Sequence, residues 1–297
     1  MQTTMKLIDG KAVAEQIRSE IAAIVQKEFL DPGLKPPHIA AVLVGDDPPS
    51  QTYVAGKEKA CREVGFTSSV YRYPAGISQE KLLEVVDFLN KDPEINGFIV
   101  QLPLPAHIDE QMVIERIDPA KDIDGFHPVN LGRMVLDQAC FLPATPFGIL
   151  TLLERYNIET AGKHVVVLGR SHTVGTPISI LLSRKARYGN ATVTLCHSHT
   201  QNLPAIAAEA DILIVAMGKQ GLVTEEMVKK DAVVIDVGIH RVPADDTRSG
   251  FRLKGDVDFD RVAGRCSYIT PVPGGVGPMT IVSLLINTLK AAGKELP

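Results

Sequence analysis

The 297-residue sequence contains no tryptophan, only 5% aromatic residues and only four cysteines. Cys61, Cys140, Cys196 and Cys266 form no C-x-x-C pair, and no histidine cluster stands at metal-ligand spacing from them, so neither a resident metal nor a redox pair is expected. Free thiols in a reducing compartment follow. Long apolar runs are also missing; stretches such as Ile212–Met217 are far too short to span a bilayer. The segment Met1 to Glu20 carries Lys6, Asp9 and Lys11 where a signal peptide needs an apolar stretch. A cytoplasmic location without a membrane partner is therefore expected, unless a further segment delivers the chain elsewhere. A basic field is absent as well. The 31 Lys and Arg are outnumbered by 35 Asp and Glu, the formal net charge is −4, and the cations are scattered, which leaves no electrostatic footprint for nucleic acid. Small anionic ligands need only local charge and stay open. No internal repeat or low-complexity tract is present.

What the sequence does have is enough apolar content, 45%, to bury a large core, and a length that favours two domains. Helical and strand-like stretches alternate throughout, which predicts an α/β fold with mainly parallel sheets. Residues 11–29 show helical periodicity through Val13, Ile17, Ile21 and Ile24, ending near Asp31-Pro32-Gly33. His38–Val44 reads as a buried strand, Thr52–Val64 as a helix, Ser69–Tyr73 as a strand, Gln79–Asn90 as a helix capped by Ser78, and Gly97–Gln101 as a short strand. After Thr145-Pro146 a second series begins, with a helix over Phe147–Tyr156 and strands at His164–Leu168, Ala191–Cys196, Asp211–Ala216 and Val233–Val237. Val174–Arg187 and Leu203–Ala208 read as helices, Pro243–Phe251 as a loop, and Met279–Ala292 as a final helix. The expected organisation is a first domain over residues 1–145, a second over 146–278, and a C-terminal helix, 279–297, that rejoins the first.

The first chemical signal runs from His164 through Gly169-Arg170-Ser171-His-Thr-Val-Gly175 to Pro177. An apolar strand enters a glycine turn and a helix follows, which aims backbone N–H groups and a helix N-terminus at a phosphate pair. Gly169 makes the tight turn and Gly175 permits close helix packing. The pattern departs from G-x-G-x-x-G, because Ser171 stands where the second glycine falls and the last spacing is longer. An ordinary strand–helix turn is the alternative. The next strand ends in His197-Ser198-His199-Thr200 with no carboxylate, whereas an NAD site usually ends it with Asp or Glu. Arg170 lies in the phosphate loop. A cation and a hydroxyl suit a 2′-phosphate, which favours NADP over NAD.

The second signal is Tyr53 and Lys57, four apart and so on one helix face. Alone, this is a solvated helix face. The pair is shared with short-chain dehydrogenases, but there it follows the dinucleotide loop, and here it precedes Gly169. Gln101 closes a buried strand before Leu102-Pro-Leu-Pro105, at the kind of edge where α/β sites form. Asp122-Ile-Asp124-Gly125 places two carboxylates before a glycine, which a simple turn would also explain. Thr270-Pro-Val-Pro273-Gly274-Gly-Val-Gly-Pro278 lacks the Lys-Ser/Thr ending of a triphosphate loop; its side-chain-poor backbone can lie close to a flat ligand or serve as a plain connection.

In this order these segments, with Asp236–Ile239, resemble the bifunctional methylenetetrahydrofolate dehydrogenase/methenyltetrahydrofolate cyclohydrolase family, from Ile8-Asp9-Gly10 to the last helix. The resemblance implies a catalytic domain and a Rossmann domain separated by an active-site cleft, a folate substrate, NADP as cofactor and a homodimer. It implies that Tyr53 packs on the aminobenzoyl part of the folate, that Lys57 moves protons in the hydrolysis, that Gln101 holds the lysine amine, and that Asp124 binds the pterin. Pro273 and Gly274 are implied to line the folate site, and Arg170, Ser171, His197, Ser198 and Ile239 to contact the dinucleotide, with Gly169 and Gly175 forming its loop. No synthetase domain follows Pro297, so formate ligation is not expected. A monofunctional NAD(P)-dependent methylenetetrahydrofolate dehydrogenase and a non-catalytic dinucleotide-binding module stay open as alternatives.

Overall fold

The computed structural model describes residues 5–247 and 250–296. The chain opens with a short strand, β1 (Lys6–Leu7), and a helix, α1 (Gly10–Val25), which continues as a π-helical turn over Gln26–Leu30. Val13, Ile17, Ile21 and Val25 recur at helical spacing and are buried, so one stripe of α1 faces a core. Two compact units divide the chain: Glu15–Ala144 with the residues from Ile281 onward, and the residues up to Ala14 with Thr145–Thr280.

The unit that starts at Glu15 contains β2 (His38–Val44), α2 (Pro48–Glu63), β3 (Thr67–Tyr73), α3 (Gln79–Lys91), β4 (Gly97–Val100), α4 (Glu110–Arg116) and α5 (Pro128–Val135). Its strands form a parallel sheet in the order β3-β2-β4. The middle strand is the unbroken apolar run Ile39–Val44, buried on both faces as central parallel strands are. Ser78 caps α3, accepting a hydrogen bond from Lys81 N (3.3 Å), and Leu82, Val85, Val86 and Leu89 form its buried face as the periodicity predicts. The helix α2 starts at Pro48 rather than at Thr52. Asp47 Oδ2 accepts from Ser50 N (2.9 Å), and the prolines occupy first-turn positions where no N–H is needed.

The other unit contains α6 (Ala144–Arg155), β5 (His164–Leu168), α7 (Gly175–Ser183), β6 (Thr192–Cys196), α8 (Leu203–Ala207), β7 (Ile212–Val215) and β8 (Ala232–Asp236). It continues with the antiparallel hairpin β9 (His240–Pro243) and β10 (Phe251–Lys254), then α9 (Phe259–Val262) and β11 (Cys266–Ile269); the last helix, α10 (Val276–Ala291), begins in this unit and from Ile281 onward belongs to the one that starts at Glu15. Of the loop expected over Pro243–Phe251, Arg248 and Ser249 lie outside the described residues.

The six strands β1-β11-β8-β7-β5-β6 form one parallel sheet in that order. From β5 the chain moves outward to β6, then returns to the opposite side of β5 for β7. This reversal opens a crevice at the carboxyl ends of β5 and β7, the position where doubly wound sheets hold their ligands. The start of the chain differs from the expected organisation. Residues up to Ala14 group with the six-stranded sheet, because β1 pairs with β11 (Lys6↔Tyr268, Leu7↔Ile269) and Ile8 N donates to Ile269 O (2.8 Å). Both units are α/β with parallel sheets, as the alternating pattern predicts, and the six-stranded one has Rossmann-type topology.

Candidate functional site

Within the unit that starts at Glu15, α2 presents Tyr53 and Lys57 one turn apart. Lys57 Nζ donates to Gln101 Oε1 (3.0 Å), and Gln101 Nε2 donates to Leu102 O (2.7 Å), so the amide is anchored and its oxygen aimed at the amine. Gln101 is itself set by the sheet, since its N–H continues the ladder to Val42 O (2.9 Å). Desolvation holds the Lys57 amine below the usual lysine range, opposed chiefly by the negative charge of Asp124. The same burial pushes Asp124 up to about 6, against the pull of Lys57 and with the help of Asp122. Lys57, Gln101 and Asp124 thus converge. Tyr53 is 38% exposed, and partial desolvation raises its phenol. Cys61, the next turn of α2, is buried with its thiol pushed up to about 12, chiefly by desolvation, and offers no thiolate.

The two carboxylates of Asp122-Ile-Asp124-Gly125 divide the work. Asp122 is 1% exposed and accepts from His127 N (2.8 Å), Phe126 N (3.3 Å) and Asn130 Nδ2 (2.9 Å), which fixes the turn. Asp124 lies on the Lys57 side, where the amine charge pulls its carboxyl down against burial. Gly125 has φ +73°, and a Cβ there would lie 2.5 Å from the carbonyl carbon of Leu142. Only glycine lets the chain cross at that point.

In the other unit, the loop after β5 has the form of a phosphate cradle. Gly169 has φ +112°, and a Cβ on it would meet Ala216 O at 2.1 Å; a Cβ on Gly175 would meet Gly169 O at 1.8 Å. Strand, turn and helix are packed backbone to backbone. Ser171, in place of the second glycine, accepts from Val174 N (3.1 Å) at the start of α7. Arg170 and Ser198 are exposed at the carboxyl ends of β5 and β6. His197 lies beside them, its imidazole held below the usual range by partial desolvation and then by the cationic Arg170 and by His199. No carboxylate closes β6. These residues fit a phosphorylated dinucleotide: free backbone at the turn, a helix N-terminus, and a cation with a hydroxyl where a 2′-phosphate needs them. Ile239 is 43% exposed just beyond β8, an apolar surface at the same sheet edge.

Pro273 and Gly274 lie in the loop between β11 and α10. This loop is clamped to the start of α1: Lys11 N donates to Gly274 O (2.9 Å), and a Cβ on Gly10 would meet Gly275 O at 1.9 Å. Beneath it Thr270, fully buried, accepts from Asp236 N (2.7 Å) through Oγ1.

One cluster escaped the sequence reading. Asp236, closing β8, accepts from Gly238 N (2.9 Å), Asp256 N (3.0 Å) and Val257 N (3.0 Å), and burial pushes its carboxyl up to about 6. Asp256, fully buried, accepts from Met217 N (2.7 Å) and Gly218 N (2.8 Å) through Oδ2, and from His240 Nε2 (2.6 Å) through Oδ1. Asp236 stood in a segment that carries the family resemblance, but nothing in the sequence joined it to His240 and Asp256. Among the described residues no group of three or more His, Cys, Asp or Glu is placed to hold a metal ion, and no helix is long and apolar enough to cross a membrane.

A Rossmann-type sheet with a turn of phosphate-cradle form, and an α/β unit carrying a desolvated amine beside a carboxylate, fit the class of dinucleotide-dependent enzymes. Comparison with known families gives the particular group. Residues 8–124 match the catalytic domain of tetrahydrofolate dehydrogenase/cyclohydrolase, and residues 143–296 match the NAD(P)-binding domain of the same enzyme. The chain belongs to the tetrahydrofolate dehydrogenase/cyclohydrolase family. It is 58% identical over 292 residues to the bifunctional protein FolD of Porphyromonas gingivalis, covering 98% of each chain, and 58% identical over 292 residues to that of Bacteroides thetaiotaomicron, covering 98% and 99%. Among solved structures it resembles the bifunctional FolD of Campylobacter jejuni (TM-score 0.91, 45% identity, 98% and 99% coverage). It also resembles a Trypanosoma brucei methylenetetrahydrofolate dehydrogenase-cyclohydrolase complexed with NADP cofactor and inhibitor (TM-score 0.91, 39% identity, 97% of each chain).

Proposed function

We propose that this protein oxidises methylenetetrahydrofolate to methenyltetrahydrofolate with NADP, then hydrolyses the product to formyltetrahydrofolate. Family membership over nearly the whole chain supports both reactions. The observation that carries the reading is the half-buried Lys57 amine, held 3.0 Å from Gln101 Oε1 beside Asp124.

When bound, NADP supplies the hydride acceptor. Gly169, Ser171 and Gly175 would hold its diphosphate, Arg170, His197 and Ser198 would take its 2′-phosphate, and Ile239 would contact the dinucleotide. The complex of the Trypanosoma brucei relative with NADP supports this choice. The methylene carbon of the folate sits between two nitrogens whose lone pairs stabilise the cation left by the departing hydride. Oxidation therefore needs alignment rather than a strong base. Tyr53 supplies that alignment by packing on the aminobenzoyl ring, Asp124 by accepting hydrogen bonds from the pterin, and Pro273 and Gly274 by offering flat backbone.

The methenyl product is electrophilic, so hydrolysis needs water delivery and proton transfer. Lys57 takes a proton as water adds to the methenyl carbon and returns one to the ring nitrogen as its C–N bond breaks; the balance is one water consumed and one proton released. Lysine can do this only with its pKa well below the free value of about 10.4, and burial acts in that direction. The cationic substrate lowers it further. Gln101 keeps the amine on target between turnovers. The enzyme works in cytoplasmic one-carbon metabolism, as a homodimer.

The test mixes protein, methylenetetrahydrofolate and NADP, and follows reduced cofactor and methenyl absorbance together. Reduced NADP should form while methenyl absorbance rises and decays. Persistent methenyl product would leave a monofunctional dehydrogenase, and no reduced cofactor would defeat the reading.

A further inference from the structure

We infer that Asp256, with His240 and Asp236, is the positioning centre that sets the wall of the dinucleotide site; this rests on the function proposed above. The crevice of the six-stranded sheet opens between the carboxyl ends of β5 and β7. One of its sides is the backbone Ala216-Met217-Gly218. Ala216 O packs directly against Gly169, within 2.1 Å of where a Cβ would stand, so any movement of this segment moves the phosphate turn. The segment is held by Asp256, whose Oδ2 takes both Met217 N (2.7 Å) and Gly218 N (2.8 Å).

The other oxygen of Asp256 is fixed from the opposite direction. His240 Nε2 donates to Oδ1 (2.6 Å), and Gly238 packs so closely that a Cβ there would lie 2.3 Å from the same atom. Ile239, the apolar residue at the site, stands between Gly238 and His240. Asp236 Oδ1 accepts from both Gly238 N and Asp256 N, and a Cβ on Gly255 would meet Asp236 Oδ2 at 1.8 Å. The two carboxylates therefore lock the loops after β7 and β8 to one another, and each reaches the dinucleotide side through backbone. A buried carboxylate is expensive unless every lone pair is served. Here the Asp256 carboxylate accepts three hydrogen bonds, two from Met217 and Gly218 after β7 and one from His240 beyond Ile239.

Asp256 and His240 touch no substrate in this assignment; they act through Met217, Gly218 and Ile239. The test uses the full chain. Asp256→Ala should weaken NADP binding, read by calorimetry, by about tenfold or more, because the Met217 and Gly218 N–H groups lose the acceptor that holds their segment. It should raise KM for NADP similarly. Asp256→Asn, which keeps an acceptor for Met217 and Gly218, should recover most of the affinity. His240→Leu, at the partly exposed end of β9, should weaken NADP in the same direction. His240→Gln, which keeps a donor, should recover it. Hydrolysis of methenyltetrahydrofolate supplied directly needs no dinucleotide and should stay within about twofold. If Asp256→Ala fails to fold, His240→Leu decides alone. Equal losses of hydrolysis and NADP binding, or unchanged NADP binding in His240→Leu, would overturn the inference. A wild-type chain that binds no NADP would instead defeat the functional reading beneath it.

Discussion

Gly175→Ala should separate the two activities of this protein. A Cβ at 175 would stand 1.8 Å from Gly169 O, 2.5 Å from Gly169 C and 3.0 Å from Arg170 N. Ordinary contact begins at 3.4 Å, so α7 or the Gly169 turn must give way by about 1.6 Å (3.4 − 1.8). Every facing atom is backbone, so no rotamer change relieves the clash. Hydrogen bonds to a phosphate do not survive such a displacement, and misplacement on the order of 1 Å costs about 10²-fold in rate. NADP-dependent oxidation of methylenetetrahydrofolate should therefore fall about 10²-fold, with NADP affinity falling alongside. Lys57, Gln101 and Asp124 belong to the other unit, so hydrolysis of methenyltetrahydrofolate added directly should change by no more than about twofold. The assay runs both reactions on one preparation and titrates NADP calorimetrically. Wild-type oxidation in the variant would show that this turn is not the dinucleotide seat. Loss of both activities together would show that the turn holds the fold and nothing more.

Further outcomes can be stated briefly. Gly125→Ala combines φ +73° with a Cβ 2.5 Å from Leu142 C, and should cost about 2–4 kcal/mol in urea unfolding; an unchanged midpoint contradicts the crossing described at Leu142. Burial pushes the folded Asp236 carboxyl up to about 6, above its ordinary value of 3.8, so its contribution to stability is complete below about 4 and lost as pH rises through about 6. The stability difference between wild type and Asp236→Asn should thus move against wild type from pH 4 to pH 7, and a constant difference would refute the burial effect. Because burial lowers the Lys57 pKa, hydrolysis should rise with pH along a limb centred below the free lysine value of about 10.4; a limb at or above it would remove lysine as the base. Gln101→Met, which keeps the volume and removes the acceptor, should lower hydrolysis more than oxidation, and equal effects would count against an anchoring role.

Much of this molecule can be read from its sequence because the decisive signals are local. His38–Val44 and His164–Leu168 are apolar runs too short for helices, and both are strands of parallel sheets. Tyr53 and Lys57 share a helix face at a spacing of four, and Gly169 and Gly175 stand where a turn needs bare backbone. The rest depended on partners distant in sequence. Lys6–Leu7 pairs with Tyr268–Ile269, and nothing in a two-residue strand names that partner. The helices α4 and α5 are too short to show periodicity and are announced only by their caps, Asp109 and His127. Asp122 and Asp124 look alike in sequence, yet one faces two backbone N–H groups and the other an amine. Asp236 ends β8, His240 begins β9 and Asp256 follows β10, and nothing local in the sequence announces that they meet.

The central claim is that Lys57 carries the proton in hydrolysis while oxidation proceeds without it. The most direct measurement follows a Lys57→Gln variant with methylenetetrahydrofolate and NADP in one cuvette, recording reduced NADP and methenyl absorbance together. The account predicts that reduced NADP still forms and that methenyl product accumulates with it one for one, undecayed. Decay of methenyl absorbance at the wild-type rate would contradict it.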